Sequence, residues 1–257
     1  SMETATRVED QTVCDSEDSC LASKLEKLAP LTDEQVTLLA TLEKDQEEIS
    51  EGTVLIEQRS SVDELFILKK GWAIASRNEQ SGRLHAPSVF YPGDVIGMSD
   101  IAFDQTPNTV TAETRLTVCR FPRNRLTDVF HRSPRISALI LALAMIEQSL
   151  MNDRIIVSRR TDGYHRLVLF LLQTISRLRF MNSVIRDQFH CPLTQEQIGA
   201  ATGLSAVHVS RSIKKLVEMD LVERHRRFFR LKDEAAMRKL IDFENRYEGL
   251  DLRWLPQ

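Results

Sequence analysis

The stretch LTQEQIGAATGLSAVHVSRSIKKLVEMDLVE, residues 193–223, restricts the possible folds of this chain more than any other segment. Its pattern predicts two helices joined by a tight turn. Thr194 is placed to cap the first helix, and Gln197 three residues on completes a capping box. Ile198 and Ala201 face inward, and Gly203 supplies the permissive backbone needed where that helix ends. Ser205 then caps a second helix, whose Val209, Ile213 and Leu216 pack inward at i, i+4 and i+7. The outward face carries Val207, His208, Ser210, Arg211, Lys214 and Lys215. A helix of this kind suits the DNA major groove, where Arg211 can donate two hydrogen bonds to a guanine edge. Lys214 and Lys215 are placed for phosphates, and Thr194, Gln195 and Ser205, at the helix starts, complete the candidate contacts. The next segment, LVERHRRFFRLKD (221–233), alternates apolar and basic residues about His225-Arg226, as a β-hairpin wing would, with Arg226 on the DNA backbone.

Charge supports this only when resolved along the chain. The formal net charge is -3, yet residues 1–50 hold 13 Asp/Glu against 4 Lys/Arg, while residues 209–230 hold 7 Lys/Arg against 3 Asp/Glu. The basic footprint is local. At 257 residues, 42% hydrophobic and 28% charged, the chain is expected to form two globular domains. No apolar run approaches the ~20 residues of a bilayer span, so no membrane partner is expected. The opening residues carry no basic start followed by an apolar stretch, which gives a cytoplasmic location as the expectation. Four scattered cysteines, Cys14, Cys20, Cys119 and Cys191, are too few for a disulfide scaffold in a chain this long.

The rest of the chain falls into segments. Residues 1–20 are acidic and aperiodic, and are expected to be a flexible tail. Residues 21–43 predict two short helices, interrupted at Pro30 and restarted by a Thr32 cap with Gln35. From about 46 to 122, the runs TVLIEQ, ELFILKK, WAIASR, HAPSVFY and RLTVCRF are broken by glycine turns, and five of the nine glycines lie between 52 and 97. That predicts a compact antiparallel roll over 21–133. A long helix follows over 134–160, with Leu139, Leu143, Ile146, Leu150 and Val157 as a coiled-coil-like seam that Asp153 interrupts. It serves either as a dimer interface or as a buried core helix. A further amphipathic helix spans 162–183, and the winged helix-turn-helix with a C-terminal helix completes 161–257.

The layout of residues 21–244 resembles the cyclic AMP receptor protein and fumarate-nitrate reductase regulator (Crp/Fnr) superfamily of bacterial transcription factors. The stretches PGDVIGMSDIAF in the roll and PLTQEQIGAATGLSAVHVSRSIKKL in the helix-turn-helix carry the resemblance. It implies an α+β fold: an N-terminal cyclic-nucleotide-binding-like β-roll, a long dimerisation helix and a C-terminal winged helix-turn-helix. It also implies a homodimer on double-stranded DNA, with RNA polymerase as a further partner, and it favours the dimer reading of 134–160. Many relatives of the anaerobic-regulator type carry a glutamate three residues before a Ser-Arg pair. Here that position is Val207, so the arginine role passes to Arg211 but carboxylate readout of cytosine does not.

What the roll would sense is less defined. Cyclic-nucleotide-binding relatives use a Gly-Glu pair for the ribose and an arginine for the phosphate. Residues 97–112 have Met98 after the glycine and no Arg or Lys, which argues against cyclic AMP; Met98, Thr106, Asn108 and Thr109 remain as a candidate effector pocket. An iron-sulfur cluster on Cys14, Cys20 and Cys119 is the alternative. Gln11 stands where a fourth cysteine is expected, and Cys119 reads equally well as a buried strand residue. No cofactor or metal is favoured, and an apolar effector or a ligand-free regulator stays open. Against an enzyme, the six histidines form no HExxH pattern, and neither a phosphate-binding glycine loop nor a nucleophile elbow is present. A ligand-binding regulatory module without DNA function is the rival of another class.

Overall fold

The computed structural model describes residues 19–257. Most of the acidic segment 1–20, Cys14 included, lies outside the described residues. Its last two positions already belong to the fold. Ser19 caps helix α1 (Cys20–Glu26) by accepting from the Ala22 N–H at 3.0 Å, and Cys20 is buried. The Glu43 carboxylate holds this start, accepting from the Ser19 hydroxyl and, at 2.9 Å, from the Cys20 N–H. Thr32 and Gln35 form the expected capping box at the head of α2 (Asp33–Ala40).

Eight strands follow: β1 (Gln46–Ile49), β2 (Val54–Ile56), β3 (Glu64–Lys70), β4 (Ala73–Asn78), β5 (Leu84–Phe90), β6 (Val95–Ile96), β7 (Thr109–Ala112) and β8 (Leu116–Pro122). They form two four-stranded sheets, ordered β1-β8-β3-β6 and β2-β7-β4-β5. The chain crosses between the sheets repeatedly, which is what makes this a roll. Leu65, Ile67, Ile96, Leu116 and Val118 of the first sheet share one core with Ile56, Ala73, Ala75, Val110 and Ala112 of the second. Burying each large aliphatic side chain contributes about 1.5–3 kcal/mol.

A short helix α3 (Arg125–Arg132), which periodicity did not suggest, precedes the long α4 (Pro134–Ser158). Pro134 suits the first helical position because its missing N–H would be unsatisfied there anyway. No uninterrupted apolar run in the sequence reaches membrane-span length, but helix length and mean hydropathy give a looser measure. At 25 residues, with a mean hydropathy of 1.3 over its best window, α4 is long and apolar enough to cross a bilayer by length and composition alone. Leu139, Ile146, Leu150 and Val157 on it are buried, although only 28% of that window is buried.

The chain continues through α5 (Tyr164–Met181), β9 (Gln188–His190), α6 (Gln195–Thr202), α7 (Ala206–Glu218), β10 (Val222–His225), β11 (Phe228–Leu231) and α8 (Glu234–Ile241). The hairpin gains β9 as a third strand, in the order β10-β11-β9, and Phe189 and Phe229 stack fully buried with ring centroids 5.8 Å apart.

The described residues group into two compact units: 19–78, 88–145 and 250–257 in one, 79–87 and 146–249 in the other. The C-terminal segment is anchored within the first. Leu255 joins the roll core, and Arg135 donates to the carbonyls of Pro30 at 3.2 Å and Pro256 at 2.8 Å.

Candidate nucleic-acid interface

The helix-turn-helix is built from interlocking caps. The Gln197 N–H donates to the Thr194 hydroxyl oxygen at 3.2 Å, and the Thr194 N–H donates to the Gln197 side chain at 2.9 Å. Gly203 ends α6 at φ +77°, and the N–H groups of Gly203 and Leu204 both donate to the Gly199 carbonyl, at 2.8 and 3.0 Å. Gly199 has its own reason to be glycine. A Cβ there would lie 2.3 Å from the Leu204 carbonyl oxygen, so the turn folds over α6 only because that atom is absent. Sequence reading missed this residue, although its place in the middle of a helix, where glycine is unfavourable, was a signal. Ser205 caps α7 by accepting from the His208 N–H at 3.2 Å. Its hydroxyl therefore shapes the helix start.

Val209, Ile213 and Leu216 are buried beneath α7, together with Ser212. Val207, His208, Ser210, Arg211 and Lys214 are exposed on the opposite side, Val207 at 60%. Among the described residues Arg211 makes no hydrogen bond or ion pair. Its five donors are available to a ligand. Lys214 lies 3.8 Å from Glu218, both exposed, a pairing worth a few tenths of a kcal/mol. Lys215 is committed elsewhere: its ammonium sits 4.0 Å above the Tyr164 ring and 4.0 Å from Asp162.

The wing shows the same division. Its turn falls at Arg226-Arg227, one residue later than predicted, with Arg226 at φ +53°. Arg224 lies 3.9 Å over the Phe229 ring and donates to the Arg226 carbonyl at 2.7 Å; burial lowers its pKa. Arg227 donates to the Pro192 carbonyl at 2.7 Å, and Arg230 pairs with Asp187 at 2.9 Å. Arg224, Arg227 and Arg230 are thus engaged within the chain, and Lys215 lies beside Tyr164 and Asp162 while half-exposed. Arg211, Lys214 and Arg226 remain for a polyanion, with His208, His225 and Gln195 exposed beside them. Cys191 is structural: fully buried, its thiol pushed up to about 11 by desolvation.

On α4 the seam predicted from Leu139, Leu143, Ile146, Leu150 and Val157 lies on the side that packs within the chain; Leu143 is half-buried and the others are buried. Asp153 accepts two hydrogen bonds from Arg246, at 2.7 and 2.8 Å. The exposed large apolar residues are Leu141 at 52%, Met145 at 49%, Met151 at 42%, Ile155 at 56% and Ile156 at 62%; Leu141, Met145 and Ile155 share their face with exposed Gln148 and Asn152. Positions 141, 145, 148, 152 and 155 recur at alternating steps of four and three, the spacing of a coiled-coil seam. Because α4 is apolar on every side, periodicity alone could not choose between the faces.

In the roll, Met98 begins a 3-10 turn (Met98–Asp100). Thr106 is buried and donates its hydroxyl to the Asp100 carboxylate at 2.9 Å, with the Asn108 carbonyl 3.2 Å from the same oxygen. Thr109 accepts from the Gln58 N–H at 3.2 Å. The fold brings Arg77 of β4 to the Asn108 side chain at 3.2 Å, a cation the local stretch lacked, but this pair is exposed. The residues do not fit a cyclic nucleotide: the buried charge in this segment is the Asp100 carboxylate, where a phosphate diester needs a donor. Of the three candidate cluster ligands, Cys14 lies outside the described residues. Cys20 is disulfide-bonded, and Cys119 is a free thiol buried in β8 whose pKa desolvation raises, away from the thiolate such clusters take. Among the described residues no group of three His, Cys, Asp or Glu could hold a metal ion.

Comparison with known proteins agrees with this architecture. Residues 46–133 match the cyclic nucleotide-binding domain family and residues 165–240 the Crp-like helix-turn-helix domain family. The chain is 21% identical over 214 residues to the anaerobic regulatory protein of Haemophilus influenzae, covering 83% of each chain. It is 25% identical over 187 residues to the transcriptional activator protein FnrL of Cereibacter sphaeroides, covering 69% of this chain and 73% of that one. Among solved structures, FixK2 from Bradyrhizobium japonicum shares the fold at a TM-score of 0.67 and 17% identity, over 76% of this chain and 96% of that one. With a cyclic-nucleotide-binding-type roll, a long helix and a Crp-like helix-turn-helix in that order, the chain belongs to the Crp/Fnr superfamily of transcription regulators.

Proposed function

We propose that the chain acts as a homodimer that reads a palindromic operator through α7, with Arg211 as principal base reader. The observation that carries this is the contrast along 209–230: the structural cations are tied down, while Arg211 stands exposed and unpaired on a capped helix. Arg226 and Lys214 supply phosphate contacts that set register without reading sequence. Thr194 and Ser205, occupied as caps, present backbone N–H groups at helix starts, which suit phosphates. Val207 in place of a carboxylate makes the half-site differ from that of glutamate-bearing relatives.

Leu141, Met145, Gln148, Asn152 and Ile155 form the seam against a second copy. The interrupting amides fix the register, as a polar residue in a coiled-coil seam does. This purpose also accounts for an apolar helix face left without cover in one chain. RNA polymerase contact follows from the regulator role, and the cytoplasm from the need to reach bacterial DNA. Selection from random duplex DNA tests the whole reading: a two-fold symmetric motif is the expected product, and an asymmetric or empty result overturns it. In sedimentation, Leu141→Asp with Ile155→Asp should convert dimer to monomer. Persistence of the dimer would reject this seam.

A further inference from the structure

The match to the Crp-like helix-turn-helix domain ends at residue 240, and the chain that follows α8 is held at two places. The first hold lies within the C-terminal unit. Asp242 pairs with Arg160 at 3.3 Å, Arg246 pairs with Asp153 of α4 at 2.7 Å, and the Tyr247 ring stacks on Phe180 of α5 with centroids 4.6 Å apart. The second hold lies within the roll unit, to which residues 250–257 belong. Leu255 is 5% exposed in the roll core, Leu252 packs against that core, and the Leu255 N–H donates to the Leu252 carbonyl at 3.1 Å. Arg135, in the first turn of α4, donates to the carbonyls of Pro256 and Pro30 at 2.8 and 3.2 Å, and so fastens the segment to the loop between α1 and α2. Between the two holds stands Gly249 at φ +66°, a backbone that L side chains rarely adopt, with open space among the described residues where a Cβ would lie.

A chain fastened at both ends is a tether, and its length sets a limit. From Tyr247 to Leu252 the chain advances five residues, and extended backbone covers at most about 3.6 Å per residue, so the two holds can lie no more than roughly 18 Å apart while both stay made. That bound applies to any arrangement of the two units. We propose that residues 250–257 form a strap that restrains how far the helix-turn-helix unit can move from the roll, with Leu252, Leu255 and the Arg135–Pro256 contact as its fastening. Releasing the fastening frees the unit. Lengthening the crossing at Gly249 does the same while leaving both holds in place. The strap rests on contacts inside each unit and on the covalent path between them, and does not require the proposed operator reading.

The test is the distance distribution between two spin labels on the full chain, one in the roll at Glu51 and one in α8 at Lys239, both exposed positions. The labels are attached through introduced keto side chains, which leaves the native cysteines alone, and labelled chain is diluted into unlabelled chain. Inserting eight Gly-Ser residues after Gly249 adds up to about 29 Å of reach. The distribution should then broaden and extend to longer distances, while the thermal unfolding midpoint stays near that of the parent, because a longer loop costs little. Leu255→Asp puts a charge into the roll core; it should broaden the distribution likewise and lower the midpoint. A distribution in the insertion variant equal to the parent's overturns the proposal and leaves residues 250–257 as part of the roll core alone. So does broadening in the insertion variant that Leu255→Asp does not reproduce.

Discussion

The recognition helix and the roll segment 97–109 are the two places where members of this superfamily meet their ligands, and in this chain they are built in opposite ways. At α7 the caps and the buried Val209, Ile213 and Leu216 satisfy the scaffold completely and leave Arg211 unengaged. In the roll the polar side chains are spent on one another: Thr106 on Asp100, Asn108 on Arg77, Thr109 on the Gln58 N–H. A site that must bind something keeps donors free, whereas a segment that has become structure consumes them. Of these two regions, α7 is the one with a candidate contact side chain, Arg211, that is unengaged among the described residues.

The comparison can be broken or sharpened in order of expected effect. Gly199→Val should be the most damaging single change, because a side chain at a point 2.3 Å from the Leu204 carbonyl oxygen forces the turn apart. A loss of about 3 kcal/mol in denaturant unfolding of the helix-turn-helix, the upper end of the usual overpacking cost, is expected; unchanged unfolding and DNA binding would mean the turn is looser than described. Cys191 gives a pH signature. Its folded pKa of about 11 lies above the ordinary 9.0, so its contribution to stability is complete below pH 9 and is lost as pH rises towards 11. Up to about 2–3 kcal/mol is at stake. Cys191→Ala should remove that alkaline slope while lowering the plateau, and a slope that stays would assign it to other groups.

Smaller effects belong to the roll. Thr106→Val strips the buried Asp100 carboxylate of a donor and should cost about 1–3 kcal/mol, without altering the ratio of specific to scrambled DNA binding. Should that ratio shift, segment 97–109 is coupled to the reading head after all. Cyclic AMP should leave the unfolding midpoint where it is. A ligand present at 100 times its Kd would stabilise by about 2.7 kcal/mol, so a midpoint that climbs with cyclic AMP would return the roll to the sensors.

The two regions also differ in how legible they were. The caps Thr194 and Ser205, the Gly203 turn and the inward face of α7 could be read directly, because each is a local pattern with a local cause. Strands β2, β3, β4, β5 and β8 were legible as apolar runs between turn residues, whereas β1 (QEEI), β6 (VI) and β7 (TVTA) are too short or too polar to show alternation. What escaped was long-range. Which face of α4 is covered, which arginines of the wing are tied to Pro192 or Asp187, and that Arg77 reaches Asn108 all depend on neighbours far away in sequence. Counting basic residues therefore did not show which of them are engaged within the chain, and apolar periodicity on α4 gave a seam without saying whether the same chain already filled it.

The central claim is that Arg211 reads bases while Lys214 only holds phosphate. The most direct test measures the affinity of the parent, Arg211→Ala and Lys214→Ala for a selected operator and a scrambled duplex across a range of salt. Arg211→Ala should lose about 1–3 kcal/mol on the operator and little on the scramble. Lys214→Ala should weaken both alike and reduce the salt slope by about one counterion. If Arg211→Ala weakens both duplexes equally, or neither, base reading by that residue is refuted.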